Sequence, residues 1–83
     1  MIFLVEYDRS TRRTLQFRTF EDTRRLDAQN ERLRIELDLL SRGLLLDREV
    51  VLLEARDEQG LRRTHERYFE KLPEQVVGEP RRS

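Results

Sequence analysis

Apolar and polar side chains alternate over the first stretch of the chain, and this alternation predicts two β-strands. Residues 1–8 place Phe3, Val5 and Tyr7 on one face and Ile2 and Leu4 on the other. Residues 14–20, "TLQFRTF", place Leu15 and Phe17 opposite Gln16 and Arg18. The polar segment "DRSTRR" between them predicts a hairpin. Pairing Val5 with Phe17 and Tyr7 with Leu15 keeps the apolar sets together and leaves a three- or five-residue loop around Ser10–Arg12. With no glycine there, a tight primed turn is not expected.

The pattern then changes period. Residues 22–42 predict a long helix, with Asp22 or Thr23 at its start and Gly43 just past its end. Leu26, Leu33, Leu37 and Leu40 form one narrow stripe, expected to pack on the sheet. Ala28, Ile35 and Leu39 form a second stripe on the opposite side, expected to be a contact with a partner, either another copy or another protein. A covering by the second helix or by the loop "GLLLD" is the alternative.

Residues 47–56, "DREVVLLEAR", predict a third strand, with Val51, Leu53 and Ala55 on one face and Val50, Leu52 and Glu54 on the other. Residues 57–72 predict a second helix capped by Asp57, with a hairpin turn at Asp57–Gly60 as the alternative. Residues 73–83 contain two prolines and a glycine without a periodic pattern, and are expected to be a mobile tail. The resulting fold class is α+β: a small two-layer ββαβα domain over residues 1–72, with a three-stranded antiparallel sheet of order 2-1-3 and two helices.

Composition limits what this fold can do. Charged residues make up 41% of the chain and hydrophobic ones 36%, a wetted surface over a thin core that association with a second chain would enlarge. The 17 basic and 17 acidic residues cancel, which argues against binding nucleic acid through bulk charge. The charge is unevenly spread: residues 26–60 carry five basic and nine acidic side chains, whereas the segments on either side each carry six basic and four acidic. All the basic residues but Lys71 are Arg, a bias that runs through the whole chain rather than one patch.

There are no cysteines, so disulfides and thiolate chemistry are excluded. No apolar run approaches the ~18–20 residues that span a membrane, and "MIFLVEYD" lacks the basic start of a signal peptide. The expectation is a cytoplasmic protein with no membrane attachment.

Catalytic signatures are missing as well. The single histidine, His65 in "RTHERYFE", falls on the predicted apolar stripe with Leu61, Tyr68 and Leu72 and is expected to be a packed side chain. "HERYF" does not complete a zinc-protease H-E-x-x-H pattern, and the three glycines are isolated, so no phosphate-binding loop is present. The acid pairs Glu21–Asp22 and Asp57–Glu58 sit at helix starts, where capping explains them. Glu6 and Glu54 project from one predicted sheet face near Arg18, a possible dyad or an ion-paired rim.

The expectation is therefore no catalytic residue, no metal and no cofactor. The sequence points to a non-enzymatic protein-interaction module that can self-associate. The alternative is a weak nucleic-acid binder using the hairpin arginines Arg9, Arg12, Arg13 and Arg18, with Phe17 and Phe20 interleaved.

Overall fold

A computed structural model describes residues 1–70. Three strands, β1 (Ile2–Asp8), β2 (Arg13–Phe20) and β3 (Arg48–Glu54), form an antiparallel sheet of order β2-β1-β3. Helix α1 (Arg25–Ser41) follows a single 3-10 turn at Asp22–Arg24, and helix α2 (Glu58–Thr64) follows β3. The chain is the small α+β domain that its pattern predicts.

The central position of β1 follows from its unbroken apolar run. Ile2, Phe3, Leu4 and Val5 are all fully buried, which requires cover on both faces and a neighbour on both edges. The layering is correspondingly fuller than the two layers expected. Phe3, Val5, Tyr7 and Phe17 pack with Leu61 of α2 and with Tyr68 of the 3-10 turn Glu66–Phe69 on one face. Leu4 packs with Ile35 and Leu39 of α1 on the other, where Phe20, Val50 and Leu52 complete the cluster. The sheet is sandwiched between α1 and the α2 segment.

The hairpin register departs from expectation at one point. Val5 faces Phe17 as expected, but Tyr7 faces Thr14 rather than Leu15, because a bulge shifts the register between Glu6 and Tyr7. The shift turns Thr14 onto the α2 face, where its buried hydroxyl donates to the carbonyl of Tyr68 at 2.6 Å. Across the turn, Asp8 accepts from the backbone N–H and the hydroxyl of Ser10 at 2.9 and 2.7 Å. Arg12 closes the loop with a left-handed φ of 59°.

Gly43 ends α1 with a φ of 72°, donating its N–H to the carbonyl of Leu40 at 3.1 Å while Leu44 donates to Leu39 at 2.9 Å. This is the paired cap that glycine permits after a helix, and it folds Leu44 back onto the α1 core. At the other end of the domain, Asp57 caps α2 by accepting from Gly60 N–H at 2.8 Å. The helix expected over 57–72 is broken at His65, whose φ of −135° and ψ of 54° start the 3-10 turn. The turn places Tyr68 under the sheet with its carbonyl on Thr14, a position that holds it to the sheet through backbone as well as ring. Leu72, expected on the same stripe, and the tail expected over 73–83 lie outside the described residues.

Candidate protein-interaction surface

The charged side chains on the α1 face of the sheet resolve into three separate pairs. Glu6, only 5% exposed, accepts from Gln16 at 2.8 Å and from Arg48 at 2.6 Å. Arg18 reaches Glu31 of α1 at 2.9 Å and lies 5.2 Å over the Phe20 ring. Glu54 is bonded to Arg25 at the start of α1. Glu6 and Glu54 share a face, as expected, but each has its own cation and their places in the strand pairing are four residues apart, so no dyad forms. The Arg18–Glu31 and Arg25–Glu54 pairs bracket α1 and fix its seat on the sheet. Arg34 and then Arg18 hold the Glu31 carboxyl below its ordinary value, and Arg25 does the same for Glu54.

On the opposite face, His65 stacks on Tyr68 with ring centroids 6.0 Å apart, and its Nδ1 lies 2.8 Å from the Thr64 hydroxyl. The histidine is half-buried at the end of α2 rather than inside a continuous helix. Tyr68 meets Tyr7 edge-on at 5.3 Å and donates its hydroxyl to Glu49 at 3.0 Å, while Arg67 donates to the same carboxylate at 2.6 Å and covers both tyrosine rings. Burial raises the Tyr68 phenol above its ordinary value. Each of these groups is engaged in anchoring the Glu66–Phe69 turn. Among the described residues there is no group of three or more His, Asp or Glu side chains able to hold a metal.

The four hairpin arginines do not converge. Arg9 is tied to the segment before β3, donating its side chain to the Leu46 carbonyl and its backbone N–H to that of Asp47, both at 3.0 Å. Arg18 is drawn under α1 by Glu31. Arg12 and Arg13 are exposed at the loop, and Phe17, the aromatic expected to interleave with them, is 1% exposed in the core.

The largest correction concerns α1. Ala28, Ile35 and Leu39, expected to meet a partner, are 0, 4 and 0% exposed and form the seat of α1 on its own sheet. The stripe expected to pack on the sheet faces outward: Leu26, Leu33, Leu37 and Leu40 are 68, 53, 57 and 59% exposed. Charge pairing accompanies this orientation: Arg25 and Glu31, which flank the buried side, reach Glu54 and Arg18 with that side facing in. A signal for this orientation was present in the sequence, since Arg18 and Glu54 share a sheet face and need opposite charges on the helix that covers it.

The outward stripe runs along more than three turns of helix, interrupted only at Asn30. Beyond the end of α1, Leu46 adds to the exposed apolar surface at 88%. Single exposed leucines are ordinary; four on one helix face in so small a domain make a candidate contact surface. The fold and this surface define a small α+β domain displaying an amphipathic helix with its second apolar face outward. Compared with family models, with curated proteins and with solved structures, the chain matches none. Among the described residues, no helix is long and apolar enough to cross a membrane.

Proposed function

We propose that this protein is a non-enzymatic interaction module that self-associates through the outer leucine face of α1. The observation that carries this reading is the exposure of Leu26, Leu33, Leu37 and Leu40 on a helix whose other face is already packed. The helix needs no partner to form, because Ile35 and Leu39 hold it on the sheet, so pairing costs little further ordering. Burying four half-exposed leucines contributes about 1 kcal/mol each, or about 8 kcal/mol for a symmetric pair. That is of the same order as the ~4–15 kcal/mol that association costs. The expected complex is therefore weak and concentration-dependent rather than permanent.

Light scattering on a size-exclusion column, over a range of loading concentrations, tests this. The expected result is a mass that rises toward twice that of the chain and is insensitive to salt. The double variant Leu33→Glu, Leu37→Glu should remain at the mass of one chain, with unchanged far-ultraviolet circular dichroism. A wild-type mass of one chain at every concentration, or a dimer that the double variant leaves intact, overturns the proposal.

A further inference from the structure

The outer stripe carries more information than its apolarity. Leu26, Asn30, Leu33, Leu37 and Leu40 follow one another at alternating spacings of 4, 3, 4 and 3 residues. This is the repeat of a two-helix seam, in which each position meets a counterpart on the facing helix. All five positions are exposed, and the only polar one is Asn30.

We infer, on the reading that the outer face of α1 is the contact, that the occupant is a second copy of this chain lying parallel to the first. Asn30 of each copy meets Asn30 of the other and selects that arrangement. In a parallel pair every position of the seam faces its own equivalent. The Asn30 amides, each with donors and an acceptor, then bond to one another. In an antiparallel pair Asn30 falls opposite Leu40, and its amide is buried against hydrocarbon without a partner.

The flanks of the seam agree. Arg34 borders the stripe on one side and Glu36 on the other. An antiparallel pair with Asn30 opposite Leu40 sets Arg34 against Arg34 and Glu36 against Glu36. A parallel pair sets Arg34 beside Gln29 and Glu36 beside Ser41, with no like charges opposed. Arg34 keeps Glu31 at 2.5 Å and Glu36 keeps Arg32 at 3.8 Å within the helix, so the flanking charges matter less than the asparagine.

The chain has no cysteine, so single-cysteine variants report the geometry directly. Leu26→Cys and Leu40→Cys stand at opposite ends of the seam and are both exposed, so neither disturbs the core. Under mild oxidation each variant alone should form a disulfide-linked dimer, and an equimolar mixture should give the two like-with-like products. Failure of both variants to crosslink, in a chain that is dimeric by mass, overturns the parallel arrangement while leaving the outer-face reading standing. Failure of both variants to crosslink, in a chain that stays at the mass of one copy at every concentration, overturns the second copy as occupant.

The role of Asn30 has its own readout. Asn30→Leu should lower the midpoint concentration of association about tenfold and, combined with Leu26→Cys or Leu40→Cys, reduce the like-with-like crosslinking. An unchanged midpoint together with an unchanged crosslinking pattern overturns its selecting role.

Discussion

The two faces of α1 are both apolar, yet one is closed and the other open. The inner face presents Ala28, Ile35 and Leu39, all buried; the outer face presents four leucines, all more than half exposed. Hydrophobicity alone ranks them the wrong way round, since the four leucines carry more apolar surface than the inner three residues. The inner face is the one whose flanks carry ion pairs to the sheet, Arg18–Glu31 on one side and Arg25–Glu54 on the other. In this domain the sheet takes the helix face that completes its charges and leaves the more apolar one exposed.

The comparison breaks most visibly under charge insertion. Ile35→Glu or Leu39→Glu puts a carboxylate into the closed cluster with Leu4, and the cost of several kcal/mol approaches the whole stability of so small a domain. These variants should be largely unfolded by circular dichroism. Leu33→Glu and Leu37→Glu, by contrast, should shift the urea midpoint of the monomer by no more than about 0.5 kcal/mol equivalent. Folded, monomeric inner-face variants would show that the two faces have been assigned the wrong way round.

A smaller effect comes from the sheet beneath the inner face. Arg48→Met leaves Glu6 buried with only Gln16 as a donor, and should cost about 3 kcal/mol by denaturant unfolding. Glu6→Gln, Arg48→Met together should recover part of that loss, and a purely additive double variant would show that the two side chains do not act as a pair.

Acid separates the faces by a further, smaller step. Glu31 and Glu54 have folded-state values below the ordinary glutamate value of 4.5, because Arg34, Arg18 and Arg25 favour their charged forms. Their contribution is therefore present above that value and is lost as pH falls through the depressed folded values. Both sites are solvated, so the stabilisation is modest. Urea midpoints should decline below pH 4.5 and decline less in Glu31→Gln. The seam has no carboxylate among Leu26, Asn30, Leu33, Leu37 and Leu40, so the association midpoint should stay level over the pH range in which the monomer remains folded. A parallel decline in both would mean that the outer contact depends on charge.

Much of this fold was legible in the chain. The alternation of residues 1–8 and 14–20 gave the hairpin, and the run Ile2–Val5 placed β1 in the centre. Three features were hidden for identifiable reasons. The bulge that brings Thr14 opposite Tyr7 answers to the Tyr68 carbonyl, a partner 54 residues away. The break at His65 answers to the same contact, since a continuous helix could not set that carbonyl on the sheet. The orientation of α1 depended on pairing charges between helix and strand, and reading the helix alone discards that information. The seam of 4-and-3 spacings was visible throughout, but its meaning emerged only once that face was known to be open.

The smallest predicted effect fixes where the outer surface ends. Leu46 is 88% exposed and lies beyond the glycine cap, in the 3-10 turn Leu45–Asp47, rather than on α1. Its backbone carbonyl accepts from Arg9, a bond that does not involve the leucine side chain. Leu46→Ser should therefore leave the urea midpoint within about 0.5 kcal/mol of wild type. If the contact is the straight seam from Leu26 to Leu40, the concentration midpoint of association is also unchanged, because the chain turns away from the helix axis at Gly43. A clear rise in that midpoint would extend the contact past the helix and give the exposed Leu46 a place in it.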